Sequence, residues 1–161
     1  MKEYVMQARL NPFGTDLAPK IVKALVSANK MLVDSTLPTA TQELVKIRVS
    51  QINGCGWCLD MHTKDAAAAG ETSVRLNLVG AWREAPVFTD AERAALELAE
   101  QGTRLADGAG VGDDVWANAA KHYDEEQLMA LVASIALINA FNRINVITRQ
   151  PAGDYRPGQY A

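Results

Sequence analysis

Two cysteines and a histidine stand close together in this chain: Cys55-Gly56-Trp57-Cys58, then His62. Intervals of three and four residues place all three side chains within about 60° of one another on an α-helix. His62 lies one turn beyond Cys58, near enough for an imidazole to accept or relay a thiol proton. Cys55 falls at the expected helix start, where unsatisfied N–H groups and the helix dipole favour a thiolate. A free thiol ionises near about pH 8.5, and such surroundings lower that by one unit or several. Two thiols this near can close to a disulfide once one sulfur is oxidised, which reversible peroxide chemistry requires. Trp57, between them, can shield the pair from bulk water.

Other readings of the same residues compete. Cys55, Cys58, His62 and the distant His122 would supply a Cys₂His₂ metal site. The interval from Cys58 to His62 and the isolated fourth ligand fit no common zinc pattern, so no metal is expected. The cysteines could instead be buried core residues beside a satisfied histidine, or a regulatory disulfide without turnover. With two cysteines in all, a disulfide scaffold is excluded, and in a reducing compartment such a pair points to catalysis or metal binding rather than to a structural staple. A base must come from elsewhere. Glu43, twelve residues before Cys55, reads plainly as a first-turn acid that suits the helix dipole and pairs with Lys46.

The elements that must position these groups read as helices. Thr15-Asp16 opens the first, with Pro19 in its first turn and Leu17, Ile21, Leu25, Ala28 and Leu32 at helical spacing. Pro38 and a capping box from Thr39 to Gln42 start a second, carrying Val45, Val49 and Ile52. Asn53-Gly54 and Gly56 break it, and a third runs from about Trp57 through the alanines 66–69 to Gly70. Thr72-Ser73 begins a short fourth reaching toward Trp82. Thr89 with Glu92 caps a fifth, ending near Gly102. The glycine-rich stretch 107–112 is a loop, a short helix follows near 113–122, and Asp124 with Gln127 caps a last helix to about Thr148. Pro151, Gly153, Pro157 and Gly158 mark an irregular tail, expected either to fray or to complete its burial against a neighbouring copy. No stretch alternates with period two, so the expected class is all-α and a thioredoxin-type fold is disfavoured despite the Cys-x-x-Cys.

On the last helix, Leu128, Leu131, Val132, Ile135 and Val146 define an apolar stripe that also holds Asn139 and Asn142. Buried amides require partners, so these should bond across to another helix or to the site. Arg143 beside them reads as a salt-bridge partner, Trp82 and Trp116 as core or subunit-contact residues, and His122 as a residue at a helix C-terminus.

A length of 161 residues suits one domain rather than two. Sixteen basic against nineteen acidic residues give a net charge of −3, which provides no electrostatic reason for a nucleic-acid or anionic-membrane partner. At 48% hydrophobic and 22% charged, the composition is that of a globular chain. No apolar run is expected to reach the ~20 residues of a membrane span. Polar residues throughout 1–10 leave no signal-peptide stretch, so the expected location is cytoplasmic.

The segment from Glu43 to His62 closely resembles the core of the alkylhydroperoxidase D family, within the carboxymuconolactone decarboxylase-like superfamily. Glu43, Cys55, Cys58 and His62 match its glutamate and Cys-x-x-Cys-x-x-x-His in identity and spacing. The run Leu131–Arg149, with Ile138-Asn-Ala-Phe-Asn-Arg-Ile-Asn, is similar to the closing helix of single-repeat members. Together these cover roughly residues 39–70 and 124–151. The resemblance implies one all-α domain over 1–161 with about six to eight helices, residues 151–161 being a C-terminal tail. It also implies assembly as a homotrimer or homohexamer, and no metal or organic cofactor.

The activity implied is thiol-dependent reduction of a small hydroperoxide, in antioxidant defence, recycled by an external dithiol or thiol reductant protein. Cys58 would be the peroxidatic thiol, Cys55 the resolving one, and His62 with Glu43 a proton relay. The helix-start argument favours Cys55 as the more acidic thiol, so the order of the cysteines stays open. Trp57 departs from the family's best-known peroxidases, which carry a histidine there, and slow turnover is expected from the loss of that proton donor. Two other functions remain: a non-enzymatic redox sensor using the same disulfide, and a lyase or decarboxylase on the shared fold. The decarboxylases proper lack this cysteine pair.

Overall fold

Local signals account for most of the helix boundaries. In the computed structural model, which describes residues 6–11 and 14–160, the chain forms seven α-helices and a 3₁₀ turn, with no strand among the described residues. Residues 1–5 lie outside it, so the reading of the N-terminal stretch falls partly beyond the described residues.

Helix α1 (Ala18–Val33) starts with Pro19 in its first turn, and the Thr15 hydroxyl accepts from the Ala18 N–H. Helix α2 (Thr39–Asn53) begins at the expected place but not by the expected device. Pro38 is its N-cap and no side chain caps it. Gln42, 1% exposed, turns its amide inward and donates to the Leu32 and Leu37 carbonyls, tying the end of α1 to the start of α2. The Leu32 carbonyl also accepts from Ser35, and Leu37 lies in the loop between the two helices, so the buried glutamine braces this chain reversal instead of closing a capping box.

Helix α2 ends at Gly54, whose φ of +66° is the left-handed conformation that a glycine adopts without strain. Helix α3 (Gly56–Ala68) follows at once, with Cys55 as its N-cap. The expected fourth helix is split into α4 (Ser73–Leu78) and a 3₁₀ turn at Val79–Ala81. Helix α5 (Asp90–Thr103) and helix α7 (Glu125–Thr148) both carry the expected capping boxes, Thr89 with Glu92 and Asp124 with Gln127. Helix α6 (Asp113–Ala119) lies between them.

Helix α2 is the hub. It packs against α7, α5 and α3, and eight of its side chains are buried, Lys46 and Ser50 among them. Val45 and Val49 join Leu98, Leu131, Ile135, Ile138 and both cysteines in one core cluster. Leu44 and Ile47, on the other side, join Val79, Trp82, Phe88 and Leu96 in a second. Trp82 is thus a core residue, whereas Trp116 is on the surface.

Helix α7 differs from expectation in two respects. By length and composition alone its 24 residues are apolar enough to cross a membrane. It nevertheless packs on α2, α5, α1 and α3, with Leu128, Leu131, Ile135 and Ile138 buried among them. Val132 and Val146, placed on the buried stripe by the sequence, are exposed. Val146 shares the angular position of buried Leu128 but lies in the last turn of the helix, whereas Val132 is displaced around the helix from the buried Leu131, Ile135 and Ile138. Helix α1 has no buried residue, and Leu17 and Ile21 of its apolar stripe are open to solvent.

Candidate active site

The reversal at Gly54 folds α3 back along α2, so the start of α2 comes to lie beside the middle of α3. Glu43 in the first turns of α2 therefore meets His62 from α3, with Oε2 2.8 Å from the imidazole Nδ1. Its other oxygen accepts from Lys46 Nζ at 2.9 Å. Lys46 and His62 are buried, and the Glu43 side chain is only 16% exposed. Burial alone would push the Glu43 carboxyl up. The hydrogen bond and charge of His62, reinforced by Lys46, outweigh it and hold the carboxyl at about 2. A permanently ionised carboxylate thus orients His62 through Nδ1 and leaves Nε2 for chemistry, the arrangement that fixes a catalytic imidazole.

Cys55 and Cys58 are joined as a disulfide. Cys55 caps α3, its Sγ accepting from the Cys58 N–H at 3.3 Å. Both cysteines are 1% exposed. On the far side, Asn145 of α7 points its Nδ2 at the Cys58 Sγ, 3.4 Å away.

A lattice of amides joins α2 to α7. Asn53, at the last residue of α2, donates to both Asn139 Oδ1 and Asn142 Oδ1, each at 2.9 Å. Asn142 donates in turn to the Ser50 hydroxyl, and Asn139 to Thr103 and to the Ile135 carbonyl. The two amides on the apolar stripe therefore do bond across to another helix. Among the described residues Arg143 forms no salt bridge; it donates to the carbonyl and side-chain oxygens of Asn139. Asn53 and Asn145 were not singled out from the sequence. The signal was present for Asn145, which continues the three-residue interval of Asn139 and Asn142.

Residues 152–160 of the tail lie against α3. Asp60 accepts from the Gly153 and Tyr155 N–H groups, and Lys64 donates to the carbonyls of the same two residues. The Tyr155 hydroxyl donates to Asp65, and burial together with that carboxylate pushes its pKa up to about 12. Tyr160 packs on Trp57 with ring centroids 6.0 Å apart, and Ala152 lies against Gly56. The tail thus touches both residues between the cysteines, Trp57 being half-buried and Gly56 still exposed.

His122 is not gathered into the site. It lines a separate groove of about 440 Å³ with Trp82, Arg83, Asp90, Arg93, Glu97 and Asn118. Among the described residues no group of three or more His, Cys, Asp or Glu side chains is placed to hold a metal ion.

Residues 19–101 match the carboxymuconolactone decarboxylase family. The uncharacterized protein YdfG of Bacillus subtilis is 43% identical over 131 residues, 81% of this chain and 88% of YdfG. A protein of unknown function from Agrobacterium tumefaciens, proposed to be the antioxidant defence protein AhpD, has the same fold at a TM-score of 0.85. It is 32% identical, and the alignment covers 92% of this chain and all of that one. The debrominase Bmp8 shares the fold at a TM-score of 0.76 and 20% identity, over 84% of this chain and 73% of its own.

Proposed function

This chain belongs to the carboxymuconolactone decarboxylase family, and we propose that within it the chain is a thiol-dependent hydroperoxide reductase of the alkylhydroperoxidase D type. One observation carries this reading: a redox-closed Cys55–Cys58 pair sits on the same helix as His62, whose imidazole is held by the half-buried, ionised Glu43. A lyase has no use for the disulfide, and a structural pair has no use for the oriented imidazole.

In the reduced state the Cys58 thiolate attacks the terminal oxygen of a hydroperoxide. The O–O bond breaks, the alkoxide leaves and takes a proton relayed through His62, and Cys58 becomes a sulfenic acid. The Cys55 thiol then attacks the Cys58 sulfur, and the hydroxyl departs with a proton as water, leaving the disulfide. An external dithiol returns both thiols and is itself oxidised to a disulfide. Glu43 holds the imidazole in one orientation and stabilises its charged form as the proton passes.

Burial of both sulfurs favours a second reading, a redox sensor that oxidises without turnover. One assay separates them: peroxide consumption with excess dithiol, for the wild type, Cys58→Ser and Cys55→Ser. Turnover in the wild type, none in Cys58→Ser and a single oxidation in Cys55→Ser support the peroxidase. Stoichiometric disulfide formation with no turnover supports the sensor, and equal turnover in the wild type and Cys58→Ser refutes both.

Assembly is part of the proposal. Leu17 at the N-cap of α1 and Ile21 and Met31 within it share one stripe and are all exposed, and α1 packs on α7, which exposes Met129, Val132 and Ile147. A homotrimer or homohexamer would bury these faces.

A further inference from the structure

Helix α7 presents three asparagines at intervals of three, and two of them are fully engaged in holding helices together. Asn142 and Asn139 spend their N–H groups on Ser50, Thr103 and Ile135, and their oxygens on Asn53. The third, Asn145, aims its amide N–H at the Cys58 sulfur. A disulfide sulfur is a weak acceptor, so that contact gains little in the oxidised state. A thiolate at the same position is a charged acceptor in a buried, low-dielectric place, where the same bond is much stronger. The donor therefore discriminates between states of the sulfur.

We propose that Asn145 is a catalytic residue of this site, the side-chain donor that stabilises the Cys58 thiolate and so selects Cys58 as the attacking sulfur. This rests on the peroxidase reading and deepens it. The assignment also resolves an ambiguity left by helix-start chemistry. The Cys55 sulfur draws on a backbone N–H and the dipole at the start of α3, whereas Cys58, one turn further in, needs a donor from another helix. Asn145 supplies it from α7.

By linkage, a group that binds the thiolate better than the thiol lowers the Cys58 pKa, and it shifts the dithiol–disulfide equilibrium toward the dithiol. Hydrogen bonds to charged groups are worth enough to move a titration midpoint by about one unit.

The test uses the full chain carrying Cys55→Ser, in which Cys58 is the remaining thiol. Its midpoint is read from the pH dependence of thiolate absorbance and of iodoacetamide alkylation. Asn145→Ala should raise the midpoint by about one unit, and Asn145→Asp, which is isosteric but adds a negative charge, should raise it further. In the two-cysteine chain, at a pH above both thiol midpoints, Asn145→Ala should shift the equilibrium with glutathione about tenfold toward the disulfide, or about 30 mV. A purely structural asparagine would lower the melting temperature and leave the midpoint where it was; that result, in either folded variant, overturns the proposal. The two readings fail separately. A wild type without peroxide turnover whose midpoint still moves with Asn145 sinks the peroxidase alone. Full turnover with an unmoved midpoint sinks the role of Asn145 alone.

Discussion

Replacing Glu43 by glutamine keeps the size of the side chain and its hydrogen-bonding oxygen but removes the charge. The folded chain holds this carboxyl at about 2 against an ordinary value of 4.5. At 1.36 kcal/mol per unit, that depression corresponds to about 3 kcal/mol of stability at neutral pH. Because the folded value is the lower one, this stability is fully present above about pH 4.5, and it is lost as the pH falls toward 2. The wild type should therefore lose about 3 kcal/mol more than Glu43→Gln between those limits, the remaining acid-sensitive carboxylates being common to both. At pH 7 the variant also leaves Lys46, 3% exposed, buried with no counter-charge, a change that costs about 3–5 kcal/mol when one partner of a buried pair is removed. Adding Lys46→Met should recover most of that loss. Urea unfolding of the three proteins at several pH values between 7 and 2 measures both effects. Parallel curves for the wild type and Glu43→Gln would refute the claim that this carboxylate is a half-buried, paired anion. An unrepaired double variant would refute the pairing with Lys46. In the peroxidase assay, Glu43→Gln should slow turnover, because His62 loses the charge that supports its imidazolium.

Glu100 receives Arg48, Arg83 and the Trp82 indole N–H at 2.7, 2.6 and 2.9 Å. Burial pushes its carboxyl up, but these donors prevail and hold it below the ordinary range. Glu100→Gln should destabilise the fold by about 3 kcal/mol in urea titrations at pH 7; a change below about 0.5 kcal/mol would show that the network is slack. Tyr155→Phe removes the hydroxyl bonds to Asp65 that anchor the tail, worth about 1.5–3 kcal/mol. Faster protease cleavage within 150–160 and a more quenchable Trp57 should follow, and unchanged rates would refute the docking. Ile21→Glu or Met31→Glu should reduce the molar mass seen by light scattering toward that of a single chain, and an unchanged mass would place the assembly contact elsewhere.

What could be read from the residues alone was everything encoded over short separations. The Cys-x-x-Cys-x-x-x-His face, the two capping boxes of α5 and α7, the break at Asn53-Gly54 and the all-α class all depend on intervals of two to seven residues, where backbone geometry fixes which groups meet. Glu43 was legible only through the resemblance, because nothing local separates it from an ordinary first-turn acid paired with Lys46. Packing decided the rest. The turn at Gly54 determines that α3 folds back on α2, and only that reversal brings Glu43 to His62 across nineteen residues. The α7 register against α2 and α3 decides that Asn145 reaches Cys58, that Arg143 serves Asn139, and that Val132 and Val146 face outward. Gln42 braces the reversal between α1 and α2, donating to the Leu32 and Leu37 carbonyls, instead of closing a capping box. The tail settles on α3 because Asp60 and Asp65 present acceptors to it from about ninety residues away. Such pairings depend on which surfaces exclude water together, and that is a property of the packed helices rather than of any one segment.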